Sequence, residues 1–172
     1  RPYLTITAAQ DALKLAIITT ISSPVQCKGF CYVKQGVYFD EYLINRQYVD
    51  MHFEYGAIVI SDTDGKPVIS DTDGNNEPVN INITGKGQFY HTRYNPQGLD
   101  NQAVALSNSD SREFNFEAYE VDGIQIYGGN SITTKINVKN TRIRYTIFVG
   151  NKKSIHFEKC TFLSGLDLDN FF

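Results

Sequence analysis

Residues 135–143 read KINVKNTRI and residues 154–162 read SIHFEKCTF, and both stretches place apolar residues at the same three positions. EFNFEAYEV (113–121) has the same pattern, and INITGKGQF (81–89) has it with one extra residue. MHFEYGAI (51–58) is a fifth copy, whose third apolar residue is Ile58. The copies begin at Met51, Ile81, Phe114, Ile136 and Ile155, at intervals of 30, 33, 22 and 19 residues. Intervals of this length indicate a solenoid or another array of repeats.

Each copy has a second short apolar stretch beside it, such as GIQIY (123–127) and YTIFV (145–149). Alternation over a few residues predicts strands with one buried face. One repeat is too small to bury its own apolar side, so the repeats must stack. The predicted fold is therefore all-β, a single-stranded right-handed parallel β-helix. A β-sandwich is the alternative, since its strands also alternate at regular spacing, but Asn-Gly hairpin turns are missing at the joints.

The one predicted helix spans residues 7–21, TAAQDALKLAIITTI. Thr7 and Gln10 have the spacing of a capping box. The apolar stripe of this helix consists of Ala9, Ala12, Leu13, Ala16 and Ile17. A helix at this place would cover the open end of the first coil. We therefore expect an N-terminal segment with its capping helix (1–24) and β-helix coils (25–172), together a single domain.

Four stretches in this order resemble the opening of pectin-lyase-like right-handed β-helix proteins. They are AAQDALKLAI (8–17), GFCYVKQGVYFDEYLI (29–44), MHFEYGAIVI (51–60) and VNINITGKGQF (79–89). That group includes polysaccharide lyases, polygalacturonase-type hydrolases and bacteriophage tailspikes. The resemblance implies the β-helix with its helical cap, and a polysaccharide as the partner. Because many activities share this scaffold, it implies no single function.

Composition excludes some classes of partner. The chain has 172 residues, 41% hydrophobic and 20% charged, with a net charge of -3, so a nucleic-acid partner has no electrostatic support. No run of 18 apolar residues is present, so no membrane span is expected. Cys27, Cys31 and Cys160 are an odd number, and a CxxxC pair without a second His or Cys pair is a weak indication of metal.

Insertions in a solenoid form loops on one face, often the binding face. In the copy at 114, the joint after the third apolar position is only Asp122–Gly123. At the same joint, two earlier copies have the longer loops 61–66 and 90–102, so these two loops should be adjacent. The candidate saccharide-binding residues are Tyr90, His91, Arg93, Tyr94, Asn95, Asp100 and Asn101. Aromatic rings cover the C–H surface of a sugar, while amide, carboxyl and guanidinium groups bind its hydroxyls. The alternative is a solvated loop.

The sequence SDTDG occurs twice, at 61–65 and 70–74. Closely spaced carboxylates suit Ca²⁺, which makes Asp62, Asp64, Asp71 and Asp73 weak metal candidates. The alternative is two Asp-Gly turns, because the rest of an EF-hand loop is missing. No cofactor is otherwise expected. A second recurring feature is Asn108, Asn130 and Asn151, which we expect to stack through their side-chain amides.

The sequence leaves an enzymatic activity uncertain. The polygalacturonase-type sequences Asn-Thr-Asp, Asp-Asp, Gly-His-Gly and Arg-Ile-Lys are missing, and Arg142–Arg144 matches the last only in part. The expected function is a tailspike-like or fibre-like module, in a virion tail or outside the cell, that binds a host surface polysaccharide. A polysaccharide lyase or hydrolase and a purely structural protein are the alternatives. The apolar end at Phe171 and Phe172 predicts a homotrimer or larger assembly through that end, or a truncated chain.

Overall fold

The chain is described from a computed structural model, which covers residues 5–20, 29–39, 43–44, 49–70, 81–93, 103–106, 113–127, 135–149, 154–163 and 166–167. The elements are α1 (Ile6–Thr20), β1 (Gly29–Val33), β2 (Gly36–Phe39), β3 (Leu43–Ile44), β4 (Val49–Phe53), β5 (Ala57–Ser61), β6 (Ile69–Ser70), β7 (Ile81–Gly85), β8 (Gln88–His91), β9 (Val104–Leu106), β10 (Glu113–Glu117), β11 (Glu120–Tyr127), β12 (Lys135–Lys139), β13 (Arg142–Val149), β14 (Ser154–Glu158), β15 (Thr161–Phe162) and β16 (Leu166–Asp167).

The strands form two sheets, and every pair among the described strands is parallel. The first sheet has the order β1-β4-β7-β10-β12-β14. In the second sheet, β8 and β9 pair with the two halves of β11, while β15 and β16 pair with the two halves of β13. Each repeat thus contributes one strand to the first sheet and then one or more to the second. Two parallel sheets and one helix in the described ranges confirm the all-β prediction.

The register of the sheets corrects the predicted alignment of the copy at 51. Met51 pairs with Ile83 rather than with Ile81, and Val59 rather than Ile58 pairs with Phe89. Equivalent first positions are therefore Gly29, Val49, Ile81, Phe114, Ile136 and Ile155. The prediction was wrong by two residues because both positions are apolar and both face inward. The alignment of the last three copies was right.

The core lies between the two sheets. Phe53, Phe89, Phe114 and Phe116 are almost completely buried there. Their rings contact one another, with centroids 4.9 Å apart for Phe53 and Phe89, and 5.6 Å apart for Phe89 and Phe116. Burial of each such ring contributes about 1.5–3 kcal/mol to stability. These aromatic contacts join three successive repeats into one core.

The turn from the first sheet to the second is short and repeats along the chain. Its N–H groups bond to the preceding repeat: the Lys86 N–H donates to the Phe53 carbonyl at 2.8 Å, and the Tyr119 N–H to the Gly87 carbonyl at 2.8 Å. Gly85 has φ 102°, and a Cβ there would overlap the carbonyl oxygen of Phe53. Only glycine allows the turns to stack this closely.

Gly85→Ala should lower the free energy of unfolding by at least about 2 kcal/mol, because it adds a steric clash to an unfavourable backbone conformation. Gly65 is a matched control: it has φ 71°, but a Cβ there meets no atom within 4 Å. Gly65→Ala should cost only about 1 kcal/mol. Urea denaturation of the two variants measures the difference, and equal losses would show that the contact with Phe53 is unimportant.

Helix α1 begins one residue earlier than predicted and has a different cap. The Thr5 side-chain oxygen accepts a hydrogen bond from the Ala8 N–H at 3.0 Å, so Thr5 is the N-cap and the predicted capping box of Thr7 with Gln10 is wrong. Gln10 instead is fully buried, and its Nε2 lies 2.8 Å from Met51 Sδ. A side chain in the core cannot reach back to the helix N-terminus.

The helix packs on the first repeat. Ile6 and Ile17 are buried, and Ala9 and Leu13 are partly buried against the core. Ala16, which we expected to be buried, is exposed. Gly29 permits the close approach of α1 to β1, because a Cβ there would lie 2.5 Å from Leu13 Cγ.

Thr5→Ala should cost about 1 kcal/mol of stability, because the Ala8 N–H loses its hydrogen-bond acceptor. Thr7→Ala should cost less, since Thr7 lies inside α1 and does not cap it. Thermal denaturation followed by circular dichroism compares the two variants. A larger loss for Thr7→Ala would restore the capping box and refute the Thr5 cap.

Candidate functional site

Three of the seven predicted saccharide-binding residues are described by the structure. Tyr90 and His91 end β8, and Arg93 follows them on the surface. Four others, Tyr94, Asn95, Asp100 and Asn101, lie outside the described residues, and so do Asp71, Asp73, Asn108, Asn130, Asn151, Phe171 and Phe172. The predicted loop is thus described only where it leaves β8.

His91 joins the two predicted loops. Its ring is buried, and Nε2 lies 3.1 Å from the carbonyl oxygens of both Thr63 and Lys66. Nδ1 accepts a hydrogen bond from the Arg93 N–H at 3.0 Å, so the proton is on Nε2, which donates to the carbonyl groups. The Thr92 N–H also donates to the Ser61 carbonyl at 2.9 Å. The described parts of the two loops are therefore adjacent, as predicted.

A polar surface, here called the charged face, lies beside these loops on β8, β11 and β13. It consists of Gln88, Tyr90, Glu120, Asp122, Arg142 and Arg144. Gln88 donates to the Tyr90 hydroxyl at 2.9 Å, and that hydroxyl donates to Glu120 at 3.3 Å. Burial and the neighbouring Glu120 carboxylate raise the pKa of Tyr90 to about 12. Tyr90 is therefore a neutral hydrogen-bonding phenol at physiological pH.

Two arginines balance the two carboxylates of the charged face. Arg142 lies 3.7 Å and Arg144 lies 3.8 Å from Glu120. Arg144 also approaches Asp122 Oδ1 at 3.1 Å. Both arginine side chains remain nearly half exposed, at 46% and 48%, so their outer guanidinium edges are accessible to a ligand.

Asp122 is the most enclosed group of the charged face. Its Oδ2 accepts the His91 N–H at 3.2 Å, while Oδ1 makes the ion pair with Arg144 but no hydrogen bond. Burial raises the pKa of Asp122 above its ordinary value, and the His91 N–H and Arg144 oppose that effect. Asp122 thus ties β11 to the end of β8 and to the loops.

Tyr119 extends the charged face toward the first sheet, and Tyr55 lies against Tyr119. The Arg142 guanidinium lies 5.7 Å from the centre of the Tyr119 ring and donates to its hydroxyl at 3.3 Å. Tyr119 in turn contacts Tyr55 edge to face, at 5.4 Å between ring centroids. Tyr55 is 65% exposed. The sequence had not singled out these residues, although Tyr119 stands one position before the outward-facing Glu120.

The metal prediction is untested. Asp62 and Asp64 lie in the described loop 61–66, where the Ser61 hydroxyl donates to the Lys66 carbonyl at 2.8 Å. Within the described ranges, no group of three or more His, Cys, Asp or Glu side chains could hold a metal ion. Because Asp71 and Asp73 lie outside those ranges, Ca²⁺ binding by the duplicated SDTDG sequence stays a prediction.

The two described cysteines are buried or half-buried. Cys31 and Cys160 are free thiols, and Cys27 lies outside the described residues. Burial raises the pKa of both described thiols. The Cys160 thiol donates to the Val138 carbonyl at 3.3 Å. A thiol with a raised pKa is a poor nucleophile, so neither residue is part of the candidate site.

Comparisons with protein-family models, with curated proteins and with solved structures find no match to this chain. The resemblance to pectin-lyase-like proteins therefore stays a prediction from the sequence. In the part of the chain that the structure describes, no helix is both long and apolar enough to cross a lipid bilayer.

His91→Ala should loosen the loops, because it removes the ring that bonds to Thr63, Lys66 and Arg93. We expect a loss of about 1–3 kcal/mol and faster hydrogen exchange of the Arg93 amide. His156→Ala is the matched control, since His156 is exposed on β14. Exchange measured by nuclear magnetic resonance compares both variants. Unchanged protection of the Arg93 amide would refute the anchoring role.

Proposed function

We propose that the chain is a right-handed parallel β-helix with an N-terminal helical cap, and that it binds a polysaccharide. The strand order supports the β-helix: the chain passes from the first sheet to the second in every repeat, and each strand pairs in parallel with its counterpart in the next repeat. The contacts between α1 and β1 support the cap.

The polysaccharide site is the charged face together with loops 61–66 and 90–102. The observation that carries this proposal is the hydrogen bond from Tyr90 to Glu120, together with the ion pairs that Glu120 makes with the half-exposed Arg142 and Arg144. Sugar hydroxyls need donors and acceptors at fixed positions, and an aromatic surface for the C–H groups. The charged face supplies the donors and acceptors, and Tyr119 beside it supplies the aromatic surface. His91 supports the loops rather than contacting the sugar.

We further propose that the protein is a tailspike-like or fibre-like module, outside the cell or in a virion tail, that assembles as a homotrimer. Exposed apolar side chains on the outer face of the second sheet support assembly. Val37 is 58% exposed and Phe39 is 67% exposed, and they pair with Ile58 and Ile60 of the next strand. An uncharged apolar surface of this kind is suited to burial against other copies.

A depolymerase is the second candidate, and the burial of the Asp122 carboxyl group is the observation that favours it. Glycoside hydrolysis needs one carboxyl group that keeps its proton and one that is ionised. Glu120 and Asp122 are two residues apart on β11, and burial raises the pKa of Asp122. To act as the proton donor, Asp122 would have to gain a proton and give up its ion pair with Arg144.

The polysaccharide proposal predicts that the combined variant Arg93→Ala, Tyr94→Ala and Asp100→Ala loses binding by at least about tenfold, because it removes one contact of each chemical type. A glycan array identifies the polysaccharide, and titration calorimetry measures its affinity. Lys159→Ala is the control, because its side chain is 77% exposed and lies in the turn between β14 and β15, outside the charged face. Binding that survives the combined variant would rule out this site.

Two further measurements on the same preparations separate the remaining alternatives. New reducing ends that appear with the wild-type chain and not with Asp122→Asn would establish the depolymerase. Light scattering should give the mass of a discrete trimer, and a stable monomer would refute the assembly. A protein without binding, cleavage or assembly would contradict the whole proposal.

A further inference from the structure

A second polar surface lies at the opposite end of β5 from the predicted loops. This turn groove is lined by His52, Glu54, Tyr55, Thr84, Lys86 and Glu117, and its volume is about 480 Å³. It opens where β4, β7 and β10 end and the chain turns toward the second sheet. Because β5 has five residues, the groove and the loop that follows Ser61 are about 15 Å apart along the strand.

The walls of the turn groove are held in place by contacts with neighbouring side chains. The His52 ring stacks on Tyr32 at 5.3 Å, and its Nδ1 lies 3.0 Å from the Thr84 hydroxyl oxygen. Tyr55 is fixed by its edge-to-face contact with Tyr119. Side chains that are already ordered lose little conformational entropy when a ligand binds.

The acidic groups of the groove already have partners. Glu54 accepts hydrogen bonds from the Gln35 N–H at 2.9 Å and from the Tyr32 hydroxyl at 2.8 Å. These two bonds hold the pKa of Glu54 below its ordinary value. Glu117 Oε1 accepts from the Asn140 amide at 2.7 Å. Both carboxylates are thus oriented by neighbouring donors.

Lys86 and Tyr55 are the exposed side chains of the turn groove. Across the residues that the structure describes, the exposed Lys86 ammonium group has no acidic side chain within ion-pair distance, and Tyr55 is 65% exposed. The groove therefore presents an unpaired donor, a carboxylate acceptor at Glu117 and an accessible aromatic ring. This combination suits a pyranose ring, which has a C–H surface and hydroxyl groups that both donate and accept.

We propose that the turn groove is a second saccharide-binding site, with Tyr55 against the C–H surface of a sugar ring and with Lys86 and Glu117 bonded to its hydroxyls. The site does not depend on the charged face or on loops 61–66 and 90–102. A chain with both sites would hold a polysaccharide at two points, near the two ends of β5.

The test uses the full chain with cellohexaose, chitohexaose and hexaguluronate as neutral, N-acetylated and acidic probes. Titration calorimetry should show binding of at least one probe. Tyr55→Ala should weaken that binding by at least about tenfold, the loss expected for one aromatic contact. Lys86→Ala should weaken it by about threefold or more. Both side chains are exposed, so neither variant should unfold the chain, and thermal denaturation checks this.

Lys159→Ala is the matched control for Lys86→Ala and should leave the affinity unchanged. Amide chemical shifts of the wild-type chain give the position independently: residues 52–56, 84–87 and 117–119 should respond to the probe. Shifts confined to residues 90–93, with binding lost only in the combined loop variant, would overturn this inference while supporting the proposed function. Binding that is lost in Tyr55→Ala but kept in the combined loop variant would support this inference and contradict the proposed function. Failure of all three probes to bind at millimolar concentration would overturn the inference.

Discussion

Parallel pairing of equivalent strands in successive repeats is the interaction on which the structure depends. It places the same position of each repeat one strand spacing from its counterpart, about 4.8 Å away. Apolar positions such as Phe114 and Ile136 are thereby joined in one core, and outward positions such as Asn115 and Asn137 are joined on the surface. The Asn137 amide donates to Asn115 at 2.9 Å because of this register. Both candidate binding surfaces are made of such rows.

Sequence periodicity was sufficient to predict the strand register where the turns have equal length. From Phe116 to Val121 and from Val138 to Ile143 the interval is five residues, and the structure has the predicted register there. The copy at Met51 has a longer turn, and apolar residues at both Val49 and Met51 fit the pattern equally well. The helix was predicted with the wrong cap because Thr5 and Thr7 have the same chemistry. The hydrogen bond from the Ala8 N–H to Thr5 and the burial of Gln10 distinguish the two helix starts.

The sequence predicted the position of the candidate site better than it predicted which residues form it. Insertions at the same joint of a stacked fold must be neighbours. The sequence therefore correctly predicted that loop 61–66 is adjacent to residues 90–93, the described start of loop 90–102. The role of His91 could not be read from the sequence, since a histidine in a polar loop has no signal for burial. Arg142 and Arg144 were missed as parts of the charged face because their partners, Glu120 and Asp122, are in the preceding repeat. Cross-repeat pairs become visible only once the register is known.

Apolar residues alone do not select this register. A slip of two residues would keep Ile136 and Val138 inside, so core burial penalises it little. The outer rows do distinguish the two registers, because signs alternate along the row Glu117, Lys139 and Glu158, with Lys139 3.0 Å from Glu158.

Each exposed ion pair of this kind contributes less than about 1 kcal/mol. A slip would nevertheless remove every pair together with the amide bond between Asn115 and Asn137. The first repeat has no such charges in its strands, since β1 and β2 contain no ionisable acid or base apart from Cys31, Tyr32 and Tyr38. There the stacking of Tyr32 on His52 and the contact of His52 with Thr84 take the same role. The side chains that select the register in the early repeats are therefore those that form the wall of the turn groove.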